Sequence, residues 1–245
     1  MTILGRWSDI GETGRKIKVA VIDSGINTEI SDLQDSVIHS TGFGINSDGY
    51  ITENSNIPVR SLHGTAVAMI IRHICSEVEF ISVNILDENL LTDGRTLAYS
   101  LSRVFDYNPD IIHMSLGTLK KRYIFPLRKI VKEAKRLNIQ LVAAAENAGR
   151  ISYPAYLKGV FGVKSDMFDD CMQYSYNRGF FYASPWTYGI ECIQKIPEIR
   201  TARGTSMSAA YMSGHLAEIL KTKNNISHKE AKEILLYRLK KGVIK

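Results

Sequence analysis

Three separated segments carry an acid, an imidazole and a hydroxyl, the side chains from which nucleophilic catalysis is assembled. Asp23 stands where the apolar run Val19-Ala20-Val21-Ile22 meets Ser24-Gly25. That is the carboxyl edge of a strand, where open α/β sheets gather their sites. Asp-Ser-Gly is also ordinary turn chemistry, so by itself the acid reads first as a turn or cap residue. His63 lies in Leu62-His63-Gly64-Thr65-Ala66-Val67-Ala68, where Gly64 permits a close approach and the small residues after it can begin a buried helix. His39, His73, His113, His215 and His228 lack this setting, and His113, inside a strand, reads as a satisfied core residue. Ser206 sits in Gly204-Thr205-Ser206-Met207-Ser208-Ala209-Ala210, at the start of a helical run. A serine there is ordinarily a cap, yet a nucleophile gains from the position, because helix N-terminal N–H groups can stabilise the oxyanion it generates.

The elements that must position these groups alternate. Short apolar, β-branched runs at 17–23, 78–86, 110–115, 140–145 and 160–163 are separated by helical patterns. This is the signature of crossover units feeding a largely parallel sheet. Thr92 is expected to cap a helix running toward Asn108, and Pro126 to occupy the first turn of one ending near Asn138. Both connections are long enough for right-handed crossovers. Ser227-His228-Lys229-Glu230 spells a capping box before the amphipathic run Ala231, Ile234, Leu235, Arg238, Leu239, with Gly242 available as a stop. No linker divides the chain, so the expected organisation is one α/β domain over 1–245, doubly wound and mostly parallel, with helices flanking the sheet.

Composition removes several function classes. The 245 residues are 44% hydrophobic and 23% charged, enough for one sizeable core and unlike a disordered or repetitive chain. The N-terminus has no basic leader before an apolar stretch, and no apolar run reaches membrane-spanning length; the expectation is a cytoplasmic protein with no membrane partner. Three widely spaced cysteines, Cys75, Cys171 and Cys192, suggest neither a disulfide framework nor a zinc site, but reduced and mostly buried thiols. The net charge of +6 is spread over helix faces such as Lys129, Lys132, Lys135 and Arg136 and is read as solvated surface rather than a nucleic-acid patch. It would also attract acidic peptides at long range. No glycine loop suited to phosphate supports nucleotide binding. The oligomeric state is left open.

The Gly-Thr-Ser start resembles an α/β-hydrolase nucleophile elbow, but Ser208 replaces its second glycine and the chain order is acid, His, Ser. With that order, Val21-Ile22-Asp23-Ser24-Gly25, His63-Gly64-Thr65 and Gly204-Thr205-Ser206-Met207 resemble the three active-site signatures of the subtilisin-like serine protease family. Ala143-Ala144-Ala145-Glu146-Asn147 with Tyr153-Pro154-Ala155 is similar to the stretch carrying that family's oxyanion-hole Asn, and Met114-Ser115-Leu116-Gly117 to its substrate-pairing strand. The resemblance runs over residues 17–210. It implies a subtilisin-like fold and a serine endopeptidase with Asp23, His63 and Ser206 as triad and Asn147 as oxyanion donor. It also implies that Ser115, Leu116 and Gly117 pair with a peptide or protein substrate, and that no cofactor is needed.

Several positions depart from the family pattern. Ala66 stands where the family commonly repeats a His, and Ala209-Ala210 where Ala-Ser-Pro is familiar. Glu146 replaces a Gly beside the pocket for the residue before the cut, where a carboxylate would select Lys or Arg. Arg203 replaces Asn near the nucleophile, either to bind an acidic substrate residue or simply exposed. Asp32 matches a calcium ligand of secreted relatives, but their ligand loop is missing between Ala68 and Val78, so no metal is expected. No inhibitory prodomain is recognisable before Asp23. A short chain of this kind suggests restricted processing, such as leader removal from a ribosomally made peptide. The rival expectations are a regulatory intracellular endopeptidase, a degenerate relative that only binds peptides along Ser115–Gly117, and, more weakly, a basic nucleic-acid-binding module.

Overall fold

The computed structural model describes residues 14–30, 33–55, 57–87, 89–223 and 225–240. In chain order the elements are β1 (Ile17–Asp23), β2 (Val37–Ile45), β3 (Ile51–Asn54), α1 (His63–Ile74), β4 (Val78–Asn84), α2 (Gly94–Val104), β5 (Ile111–Met114) and α3 (Ile124–Arg136). Then follow β6 (Gln140–Ala144), β7 (Phe161–Ser165), β8 (Tyr174–Asn177), β9 (Phe180–Ala183), α4 (Glu191–Gln194), α5 (Thr205–Thr222) and α6 (His228–Lys240). One nine-stranded sheet runs β3-β2-β4-β1-β5-β6-β7-β9-β8. The two edge pairs, β2 with β3 and β8 with β9, are antiparallel; the other pairings are parallel.

β1 lies inside the sheet, with β4 and β5 on either side. Its Ile17, Val19 and Val21 pack on the face covered by α1 and α5, while Ala20 and Ile22 pack on the face covered by α2 and α3. Burial on both faces explains why β1 reads as a continuous apolar run rather than an alternating one. Each fully buried Val or Ile contributes about 1.5–3 kcal/mol, so the buried run Val19–Ile22 carries no charge, and the strand's charged groups flank it, the half-buried Lys18 before and Asp23 after.

α1 and α5 pack side by side through Gly214, where a Cβ would overlap Ile74 of α1. Gly214→Ala gains up to about 1 kcal/mol of helix propensity, against about 1–3 kcal/mol for forcing a methyl into a filled interface. The expected result is a net loss of stability, read as a lower urea midpoint with an unchanged m-value.

Expected and observed elements differ in instructive places. The helix cap before α2 is Asp93, not Thr92: the Asp93 carboxylate accepts from the Arg95 and Thr96 N–H groups at 2.6 and 3.0 Å. That helix stops at Val104 and continues as a 3₁₀ turn over Phe105–Tyr107 rather than running unbroken toward Asn108. The capping box forms as expected, with the Ser227 N–H and hydroxyl both on Glu230 at 3.0 and 2.7 Å. Only Cys75 is buried; Cys171 and Cys192 are half-buried, and all three are unbridged. Asp32 and Gly242 lie outside the described residues. Among the described residues no helix is long and apolar enough to cross a membrane.

Candidate active site

Asp23 closes β1, beside the segment that leaves β5, and is fully buried. Gly64 determines how α1 meets this edge: a Cβ there would stand 2.5 Å from the Gly25 carbonyl oxygen and 3.1 Å from Asp23 Cβ. Glycine lets the first turn of the helix lie directly on the strand end. The Gly64 N–H donates to Ser24 Oγ, which in turn donates to the Ser61 carbonyl. His63, the first residue of α1, then places Nδ1 at 2.8 and 3.0 Å from the two Asp23 oxygens.

The pair is electrostatically coupled. Burial alone would raise the Asp23 pKa, but the His63 charge and hydrogen bonds from His63, Ser115 and the Ser24 N–H outweigh it and hold the carboxyl below its usual range. Burial alone would lower the His63 pKa, and the charge and hydrogen bond of Asp23 reverse this and raise it. Asp23 is thereby kept ionised, and His63 is made a stronger base than a free imidazole.

Behind the pair runs a second polar chain. His113 on β5 is fully buried, with Nδ1 2.9 Å from Ser213 Oγ on α5 and Nε2 2.9 Å from Ser115 Oγ. Burial pushes its pKa down to about 4, so the ring is neutral and bridges the two hydroxyls. The expectation of a satisfied core histidine holds, with a role in fixing Ser115 that its place in a strand did not reveal.

Ser206 is the second residue of α5, after Gly204 with φ 125°. A Cβ on Gly204 would stand 3.1 Å from Asn147 Oδ1, so glycine is what lets Asn147 approach the helix start. Asn147 Oδ1 accepts from the Thr205 N–H at 3.0 Å, while Thr205 Oγ1 donates to the Ala145 carbonyl at 2.6 Å. This fixes the amide, and its Nδ2 bonds nothing among the described residues. The Ser206 N–H likewise finds no acceptor among the described residues. The Ser206 hydroxyl donates to the Ser115 carbonyl at 3.1 Å and not to His63. Ser206 is thus tied to the main chain of Ser115, whose side chain is held by His113.

Leu116 and Gly117 continue past the last ladder pair of β5. Gly117 lies against Tyr153, where a Cβ would stand 2.8 Å from its carbonyl, and Thr118 forms a bridge to the same residue. Glu146, expected to offer a carboxylate to a basic substrate side chain, pairs with the exposed Arg150: Nη2 lies 2.6 Å from Oε1, and the Arg150 N–H lies 3.1 Å from Oε2. Away from the site, Cys75, Glu77 and Glu218 bring ligand atoms within 4.8 Å of one another, but Lys221 occupies both carboxylates and leaves little negative charge to hold a cation.

Comparisons with known proteins agree with this architecture. The profile of the Subtilase family matches residues 14–173, a stretch that includes Asp23, His63, Ser115 and Asn147 and ends before Ser206. The chain is 32% identical over 167 residues to the Minor extracellular protease Epr of Bacillus subtilis (strain 168), a match covering 63% of this chain and 24% of that protein. It is 28% identical over 230 residues to the Major intracellular serine protease of the same organism, covering 85% of this chain and 70% of that one. Among solved structures, a cold adapted subtilisin-like serine proteinase superposes with a TM-score of 0.70 at 18% identity, covering 94% of this chain and 84% of its own. A lanthipeptide protease superposes with a TM-score of 0.67 at 20% identity, covering 89% and 78%.

Proposed function

This chain belongs to the subtilase family of subtilisin-like serine proteases, and from that premise we propose that it hydrolyses peptide bonds with Asp23, His63 and Ser206 as its triad. One observation carries the reading: a buried acid hydrogen-bonded to a half-buried imidazole stands at the same sheet edge as a helix-start serine, beside two N–H donors that bond no acceptor among the described residues. Rotation about the Ser206 Cα–Cβ bond moves the hydroxyl from the Ser115 carbonyl to His63 Nε2 when substrate arrives. His63 then takes the proton as Oγ attacks the scissile carbonyl, and returns it to the leaving amine. Asp23 holds the imidazole by Nδ1 and stabilises its charged form. The developing oxyanion is met by Asn147 Nδ2 and the Ser206 N–H, both fixed before reaction.

Asn147→Ala is expected to lower kcat by about 100- to 1,000-fold with a smaller change in KM, because the lost donor acts on charge present only in the transition state; the magnitude is the one known for subtilisin itself. Steady-state kinetics on a single peptide substrate checks this.

Substrate backbone is proposed to pair with Ser115, Leu116 and Gly117. Restricted processing, such as leader removal from a ribosomally made peptide, is the role we favour, supported by the fold shared with a lanthipeptide protease. Action in the cytoplasm is proposed on the similarity to the Major intracellular serine protease. One observation favours a second reading, a relative that binds peptides without cutting them: the Ser206 hydroxyl is turned to Ser115. Incubating a peptide library with the wild-type protein and with Ser206→Ala separates the two. Cleavage by the wild type alone supports the peptidase; binding by both without cleavage supports the second reading.

A further inference from the structure

We propose that the cavity beside Asn147 is a subsite for an acidic residue on the leaving-group side of the scissile bond, an inference that rests on the peptidase reading above. The cavity, about 510 Å³, shares Asn147, Gly204 and Thr205 with the active site, while Ser115, Leu116 and Gly117 are not among its walls. With the acyl portion of a substrate on that strand edge, the residues following the cut face the cavity across Asn147.

Its walls are cationic. Arg203 sits at the mouth, its guanidinium carbon 5.7 Å from the centre of the Trp186 ring. Trp186 is itself fixed: it stacks on Tyr188 at 5.2 Å and 7°, bridges to Arg203 through the main chain, and its carbonyl accepts from the Tyr211 hydroxyl of α5. Lys164 lies in register with Tyr182, its ammonium over the rings of Phe180 and Tyr156 at 4.5 and 5.4 Å. Aromatic faces position these cations without neutralising them. Among the described residues neither Arg203 nor Lys164 has a carboxylate within ion-pair distance. The one acid in the wall, Glu146, is already matched by Arg150. The N-terminal end of α5, which adjoins the cavity through Gly204 and Thr205, adds partial positive charge of the same sign.

A carboxylate supplies what this wall lacks. A planar guanidinium held on an indole keeps its N–H edge available for bidentate contact with a carboxylate, and the neutral amide of Gln cannot match that charge-assisted contact. The Tyr182 hydroxyl, which makes no side-chain hydrogen bond among the described residues, offers a further donor.

The test uses peptides that differ only in having Glu, Gln, Lys or Phe at the first or second position after the cleaved bond. The wild-type protein is expected to favour Glu by about tenfold or more in kcat/KM at low salt, the size of one charged hydrogen bond, with the preference shrinking as salt rises. Arg203→Gln is expected to bring the Glu/Gln ratio toward one, and Arg203→Glu to favour a Lys peptide over both. Affinities of the same peptides for the Ser206→Ala protein give a second readout that needs no catalysis. If no peptide is cut by the wild type but the Glu preference persists in binding, the peptidase reading falls and the anionic subsite stands. Equal handling of Glu and Gln in both assays, a ratio untouched by either Arg203 variant, or a preference for aromatic residues at these positions overturns the proposal.

Discussion

Replacing Ser206 with alanine is expected to lower kcat by about a million-fold while costing only about 1 kcal/mol of stability. The two effects separate because the side chain has two different dependents. In the resting protein its hydroxyl makes one neutral hydrogen bond, to the Ser115 carbonyl, so the fold loses little when it is removed. In the reaction the same oxygen is the nucleophile, for which no neighbouring group substitutes. His63→Ala is expected to cost about as much, and the double variant no more than either, because nucleophile and base act as one unit; the magnitude is that of the subtilisin triad. Turnover of one peptide, measured beside urea unfolding of each variant, distinguishes this from general destabilisation. Losses that multiplied in the double variant would mean that the two side chains act independently.

Asp23→Asn is expected to lower kcat by about 10,000-fold at neutral pH and to change the shape of the pH profile. The sign follows from the coupling of the pair. His63 must be neutral to accept the Ser206 proton, and the Asp23 charge raises its pKa above the ordinary value. In the wild-type protein, therefore, activity climbs with rising pH through a limb displaced to the alkaline side. Removing the carboxylate leaves burial as the dominant influence on His63, which lowers its pKa, so the residual activity of the variant rises through a more acidic limb. Log kcat/KM against pH for both proteins gives the comparison. A limb that stayed in place would show that Asp23 does not act through His63.

The central part of this site was legible in the chain because its signals are local. β1 is apolar on both faces, so Asp23 stood out as the first residue at which the run breaks. Gly64 marked a place where the chain must come close, and the structure shows the Gly25 carbonyl there; the matching close approach of the Asn147 amide to Gly204 appears only in the structure. The Ser227–Glu230 cap was equally local and formed as expected.

What escaped notice depends on distant partners. The outer strands β2, β3, β8 and β9 are only partly buried, and the two at the edges, β3 and β8, show no continuous apolar run. The β8–β9 hairpin turns on Arg178 and Gly179, both with positive φ, a weaker signal than Asn-Gly. Asp93 outcompeted its neighbour Thr92 as a cap because its Oδ1 accepts from both first-turn N–H groups while Oδ2 accepts from Arg95 Nε, and its charge favours the positive helix end. The role of His113 required knowing that Ser213, far along the chain, reaches it from α5. The pairing of Glu146 with Arg150 was a matter of side-chain direction in a loop, which no periodicity encodes.

The most direct test of the triad is mass spectrometry of the folded protein after treatment with a fluorophosphonate. The expected result is a single adduct on Ser206, forming faster as pH rises through the His63 transition and absent from His63→Ala. A folded protein left unmodified at Ser206, or one modified there at a rate indifferent to His63, would contradict the assignment of these residues as an activated nucleophile and its base.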